Sequence, residues 1–304
     1  MPERRYDTEV SEEDIIKVSD SHGNVMEFLE HGGQYISAKG VIMGKFPNPK
    51  TNFPRLKEMN IRSDDFFLCA YPKAGTHWTW EIMSMILQQT AEYHPLKKET
   101  HMLEFNTPEV LESVTSPRVF NTHLRPNNMP QQFFDKHCKT VFVQRNPKDV
   151  AVSFYYHCMQ TIKFCGTFIQ FMDFFMEKHG PVYHSAWPLY TLEWEKYFKE
   201  HPDHPVHYIM YEDLQQDPVS EIKRLAAFMD KPCDDQLANQ IAEKCSFQNL
   251  KTASDTVKGG DRSMSFYRKG KVGDWKNHFT VALNEEFDQY LQQHKTDTVY
   301  KYEI

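Results

Sequence analysis

A chain of 304 residues that is 40% hydrophobic and 25% charged can bury roughly three quarters of its unfolded surface, so disorder is expected only at its ends. Its 35 Lys and Arg stand against 42 Asp and Glu. The resulting net charge of −7 argues against broad electrostatic binding of nucleic acid or anionic membrane, while leaving room for a local basic site.

The six cysteines, at positions 69, 138, 158, 165, 233 and 245, form no CxxC pair and lie mostly in apolar surroundings. Reduced thiols in a cytoplasmic protein are therefore expected, and no metal site. The polar N-terminus does not read as a secretory signal, and no apolar run reaches the roughly 18 residues that a membrane span needs.

In chain order, residues 1–25 read as a polar extension. The stretch up to about residue 60 reads as a loop-rich entry, punctuated by Gly32-Gly33, Gly40, Gly44, Pro47, Pro49 and Pro54, with short strands within 35–43. From Phe66 the pattern sharpens to strand 66–70, helix 76–89, strand 118–122, strand 140–144, helix 147–159, strand 206–210, and helices 218–229 and 234–244. The strand pieces 140–144 and 206–210 are short and apolar rather than strictly alternating, as expected where helices cover both faces of a parallel sheet. A single α/β domain over 26–296, with a central parallel sheet and a tail at 297–304, follows.

Asn146, Pro147 and Asp149 specify a helix start. The aromatic spacing from Phe168 to Tyr197 predicts packed helices. Gly259-Gly260 marks a flexible connection, and Asn284 is expected to cap a final amphipathic helix faced by Phe287, Tyr290 and Leu291.

The chemistry-bearing residues cluster just after the predicted strands. Tyr71-Pro72-Lys73-Ala74-Gly75-Thr76-His77-Trp78 joins strand 66–70 to a helix, a turn that places backbone N–H groups, a hydroxyl and a mobile cation where a phosphate or sulfate sits. Its spacing is not GxxxxGK[ST], and no magnesium-binding carboxylate is evident after a strand, which disfavours a P-loop kinase. Lys73 is the leading catalytic candidate, with a solvated turn lysine as the plain alternative. Trp78 is either a stacking platform or a core residue.

His123 follows directly on strand 118–122 and is a candidate general base, with Asn121 and Thr122 as polar neighbours or ordinary strand residues. Arg145 and Ser153 both address one phosphate if strand end and helix converge; otherwise Arg145 pairs with a nearby acid and Ser153 only packs. Arg268-Lys269-Gly270, followed by Gly273, Asp274 and Trp275, is either an anion-closing turn or a solvent loop. Tyr211 follows strand 206–210 and is either a hydrogen-bond donor at the sheet edge or, with Glu212 and Asp213, part of a helix cap.

Taken together, YPKAGTHW at 71–78, NTHL at 121–124, RNPKDVAVSFYYH at 145–157, YEDL at 211–214 and RKGKVGDWKNHFT at 268–280 resemble the cytosolic sulfotransferase family, over about Met26 to Tyr290. The resemblance implies a sulfotransferase/P-loop-like architecture and transfer of the sulfuryl group of 3′-phosphoadenosine 5′-phosphosulfate (PAPS) to a phenol, alcohol or amine. The product of the donor would be adenosine 3′,5′-bisphosphate (PAP).

By resemblance Lys73 meets the sulfate and leaving oxygen, His123 is the base, and Ala74, Gly75, Thr76 and His77 form the 5′-phosphate turn. Arg145, Ser153, Arg268, Lys269 and Gly270 hold the 3′-phosphate. Trp78 and Phe247 sandwich the adenine, with Tyr211 and Ser246 beside it. The segment 276–285 matches the family's KxxxTVxxxE pattern and implies a homodimer.

Three positions depart from the usual YPKSGTTW and KTH forms. Ala74 lacks a hydroxyl, His77 replaces one, and Asn121, read as a catalytic position, replaces a lysine near the sulfuryl group. A catalytically weak nucleotide- or ligand-binding relative is the alternative reading. Aromatic residues around 154–175 and the Met/Phe-rich entry at 41–46 favour an apolar small-molecule acceptor with one reacting hydroxyl or amine, while the net charge favours neither nucleic acid nor membrane as partner.

Overall fold

The computed structural model describes residues 9–256 and 267–294. The expected connection at Gly259-Gly260 and the tail at 297–304 lie outside the described residues.

The entry holds more regular structure than its glycines and prolines suggest. β1 (Ile16–Ser19), β2 (Val25–His31) and β3 (Gln34–Ser37) form an antiparallel sheet in that order, with Ile16 opposite Phe28 and Leu29 opposite Ile36. β1 thus lies inside the stretch expected to be an extension, and its Val18 is buried in the core. Gly32 and Gly33 both have positive φ and make the two-residue hairpin turn whose twist suits the flanking strands. Residues 38–42 form α1 (Ala38–Ile42) rather than a strand, because the Ser37 side chain accepts from Gly40 N and starts a helix. α2 (Pro49–Lys57) begins on Asn48 as cap with Pro49 in the first turn, where a missing N–H costs nothing.

β4 (Phe66–Ala70), β5 (Val119–Thr122), β6 (Thr140–Gln144) and β7 (Val206–Met210) build a parallel sheet in the order β5-β4-β6-β7. Every residue of β4, β5 and β6 is buried. Alternate side chains of β4 feed two different cores. Phe67 and Cys69 join one with Phe120, Phe142 and Trp194, while Phe66, Leu68 and Ala70 join the other with Trp80, Ile82 and Ile222. Each large buried side chain contributes roughly 1.5–3 kcal/mol, so the sheet is the most rigid support available to a site at its edge.

The helices follow as α3 (Thr76–Gln88), α4 (Pro108–Glu112), α5 (Gln131–Asp135), α6 (Pro147–Thr161), α7 (Phe168–Phe175), α8 (Trp187–Glu200), α9 (Tyr211–Gln216), α10 (Pro218–Phe228), α11 (Asp235–Lys244), α12 (Phe247–Thr256) and α13 (Val281–Gln293). α6 starts as its sequence dictates, with Asn146 Oδ1 accepting from Lys148 N at 2.9 Å. α13 is capped by Thr280, whose Oγ1 accepts from Leu283 N at 3.2 Å. Asn284 is not the cap: it already stands inside the first turn and donates to Asp288 Oδ2 at 3.1 Å. Among the described residues no helix is long and apolar enough to cross a membrane.

Because the four central strands run parallel, the residues that follow them emerge at one edge. Tyr71, His123, Arg145 and Tyr211 therefore converge from positions far apart in the chain.

Candidate active site

The turn after β4 is held by Ala74 N donating to Tyr71 O at 3.1 Å. Gly75 has φ +125°, and a Cβ there would stand 3.0 Å from the Tyr211 ring, so both conformation and contact require glycine. Gly75 has no side chain to cap α3, and the positive helix end opens onto a cavity of 540 Å³. Lys73, Gly75, Thr76, His77 and Trp78 line that cavity, joined by His123, Arg145 and Tyr211 from the sheet edge and Ser153 from α6. Ser246, Phe247, Arg268, Lys269 and Gly270 complete the same wall.

Two expected site residues do not reach the cavity lining. Ala74 is buried in the core beside Leu68 and Ala70, its amide spent within the turn. Asn121 is fully buried behind Lys98, with Nδ2 donating to Lys98 O at 2.8 Å and Oδ1 accepting from Lys98 Nζ at 3.3 Å. The residue at the surface of the cavity is Lys98, from the 3-10 turn Lys98–His101.

Its neighbour Glu99 receives His77 Nε2–H at 2.9 Å. Burial, with Lys98 adding to it, pushes His77 down to about 3, so the ring is neutral and its one N–H is spent on Glu99. Burial raises Glu99, but Lys98 and His77 outweigh it and hold the carboxyl well below its ordinary value. The expected donation from His77 to a phosphate is therefore not available through this N–H.

His123 is held in one tautomer. Its Nδ1 lies 2.6 Å from Ala70 O, which can only accept, so Nδ1 carries the proton and Nε2 the lone pair. Burial, then His184 and Lys98, holds its pKa well below the usual histidine value. Three further bonds fix this corner of the site. His123 N and Thr122 Oγ1 donate to the two oxygens of Glu104 at 2.7 and 2.8 Å, and Gln34 Nε2 from β3 donates to His123 O at 3.0 Å. Lys73 is lowered to about 8 by burial, then by the charges of Lys98 and Arg145.

On the opposite side, Arg145 lies 4.1 Å over the Tyr211 ring and donates from Nη1 to Lys73 O at 3.0 Å. Arg268 and Lys269 are both held by Asp274, at 2.5 and 2.8 Å. Asp149, at the start of α6, accepts from Gly273 N at 2.7 Å and Trp275 N at 2.9 Å, and so fixes the basic turn against the helix that carries Ser153. Gly270 has φ +62°, and a Cβ there would stand 2.1 Å from the Phe247 ring.

Lys98, Glu99, Glu104 and Gln34 carried no functional reading in sequence, since none belongs to a turn after a strand of the central sheet. Only the fold shows Lys98 buried.

Residues 63–299 match the sulfotransferase domain family. Human sulfotransferase 1E1 is 34% identical over 297 residues, 90% of this chain and 97% of the relative. Mouse sulfotransferase 1B1 is 32% identical over 271 residues, 83% and 89% respectively. The chain belongs to the sulfotransferase family.

The crystal structure of mouse sulfotransferase SULT7A1 complexed with PAP superposes with a TM-score of 0.71 at 26% identity, covering 89% of this chain and 96% of that one. Retinol dehydratase in complex with androsterone and inactive cofactor PAP gives a TM-score of 0.73 over 92% of each chain, at 19% identity, and supports the fold alone.

A sulfotransferase must hold an anionic sulfuryl donor, and the cavity has the groups for one. Thr76 Oγ1, Arg145 Nε and Arg268 Nε are buried polar atoms without a hydrogen-bond partner among the described residues, on three residues that line it. Buried donors in native proteins are nearly always satisfied, so three on residues lining one cavity suit an anionic ligand.

Proposed function

We propose that this sulfotransferase moves the sulfuryl group of PAPS to a hydroxyl or amine of a small, largely apolar acceptor. The observation that carries the reading is the position of His123. Its Nε2 lone pair belongs to a cavity whose one side holds the unpartnered donors and whose other side is aromatic. Phe46 stacks on Phe105 at 4.0 Å, and Met43, Phe154 and Tyr183 extend that apolar side.

His123 takes the proton of the acceptor as the acceptor's oxygen or nitrogen bonds to sulfur. Lys73, as the ammonium, donates to the bridging oxygen that leaves with the 5′-phosphate when the sulfur–oxygen bond breaks. Gly75, Thr76 and the first turn of α3 hold that phosphate. Arg145, Ser153 and the Arg268–Gly270 turn hold the 3′-phosphate. Trp78 and Phe247 take the two faces of the adenine, with Tyr211 and Ser246 at its edge.

The six free thiols suit a cytoplasmic setting. Val281, 76% exposed at the start of α13, suits pairing of two copies through the segment 276–285.

Calorimetry with PAP and with adenosine 5′-phosphate tests the donor assignment. PAP should bind at least roughly tenfold more tightly, because Arg145 and the basic turn make charge-assisted bonds to the extra phosphate. Arg145→Ala should remove most of that preference. Equal affinities for the two ligands in the native protein would defeat the proposed pocket.

A further inference from the structure

Lys98 has the burial of a core residue and the coordination of an unfinished site. Its side chain is only 5% exposed. Three groups meet its ammonium, and none is close: Asn121 Oδ1 at 3.3 Å, Glu99 Oε1 at 3.5 Å and Met102 Sδ at 3.6 Å. The carboxylate is shared with His77, which holds it at the shorter distance of 2.9 Å. A buried charge is costly unless paired and well hydrogen-bonded, so a lysine held this loosely, on the wall of a cavity that also contains Lys73 and His123, is arranged for an anion that arrives there.

Asn121 supports that arrangement from behind. It is fully buried, and both ends of its amide are spent on Lys98, one on the backbone carbonyl and one on the ammonium. Glu99 steadies the same turn through His77. Two positions where this chain differs from the family motifs, Asn121 and His77, thus meet on one two-residue feature, Lys98-Glu99.

We propose that Lys98 is a second catalytic cation, which donates to a non-bridging oxygen of the sulfuryl group during transfer, with Asn121, Glu99 and His77 as positioning residues. The proposal rests on the donor reading given above. No proton changes hands in this step. The N–H of Lys98 strengthens its hydrogen bond as negative charge shifts over the sulfuryl oxygens, while Lys73 serves the bridging oxygen on the other side of the sulfur.

Lys98→Met keeps the length and apolar stem beside Met102 and removes only the charge. PAPS carries the sulfuryl group and PAP does not, so calorimetry with both separates the role from general pocket shape. Lys98→Met should weaken PAPS by roughly tenfold or more while changing PAP by far less. Turnover should fall, and Asn121→Lys in the Lys98→Met background should restore at least part of it by placing an ammonium at the same corner.

The alkaline limb of kcat/KM for the donor should also move upward in Lys98→Met, because a like charge beside Lys73 is gone. If Lys98→Met does not fold, Lys98→Gln takes its place with the same two ligands. Equal weakening of PAPS and PAP, or no weakening of PAPS, overturns the proposal. Failure of the native protein to bind either ligand overturns instead the donor reading beneath it.

Discussion

Gly270→Ala tests the proposed role of Phe247 in holding the adenine. The new methyl would stand 2.1 Å from Cδ2, 2.5 Å from Cγ and 2.7 Å from Cε2 of Phe247. These distances fall well short of van der Waals contact, so the ring must move by more than about 1 Å, which is enough to spoil a stacked face. The backbone at φ +62° adds roughly 1–2 kcal/mol for a non-glycine residue, a cost borne by the turn itself.

Base-on-aromatic stacking contributes roughly 1–3 kcal/mol, so PAP affinity should drop about 5- to 150-fold. Calorimetry measures this directly, and Phe247→Ala should produce a similar loss. Because both changes act through one ring, the double variant Gly270→Ala/Phe247→Ala should bind about as well as Phe247→Ala alone apart from turn strain, rather than showing the sum of the losses. Native affinity in Gly270→Ala, or strict additivity, would refute Phe247 as a face of the donor slot.

The pH profile of kcat/KM for the donor should have both limbs displaced. His123 is held well below the ordinary histidine value by burial, then His184 and Lys98, so the neutral base persists as pH falls past 6.5 and the acid limb lies lower; a half-maximal point near 6.5 would contradict this. Lys73 must be protonated to serve the leaving oxygen, and burial with its cationic neighbours lowers it to about 8, so the rate should decline as pH rises through about 8 in the donor-free enzyme. Val281→Glu places a charge on the exposed start of α13 and should convert the proposed dimer to monomer in sedimentation, with turnover per chain kept; an unchanged sedimentation coefficient would move the interface elsewhere.

Most of the fold was legible where one physical demand dominated. The runs 66–70, 140–144 and 206–210 were mainly apolar rather than strictly alternating, and each became a strand of the parallel sheet with those ends, β4 and β6 buried throughout and β7 half-buried at the edge. The entry was less legible. Prolines that read as loop punctuation in fact start α2 at Pro49, and glycines that read as irregularity form the hairpin turn at Gly32 and Gly33.

In the site, residues that directly follow a parallel strand could be grouped from the sequence, because topology brings strand ends together wherever the sheet is parallel. Gln34, Lys98, Glu99 and Glu104 could not. Their places depend on how a separate hairpin and the connection between α3 and β5 pack against that edge, and no local spacing encodes it. Asn121 shows the consequence. Taken alone, its amide signals a charge lost from the site, whereas its two bonds tie it to Lys98, whose ammonium joins the cavity lining from a neighbouring turn.

The most direct test of the account is transfer itself. Purified protein is given PAPS labelled at sulfur and a panel of phenols, alcohols and aliphatic or aromatic amines, and both labelled acceptor and PAP are quantified in single-turnover reactions. The account predicts at least one apolar acceptor that gains label in step with PAP release, with transfer sharply reduced in Lys73→Ala and His123→Ala that still fold. Tight PAP binding with no transfer to any acceptor, or equal transfer by the Lys73→Ala variant, would contradict it.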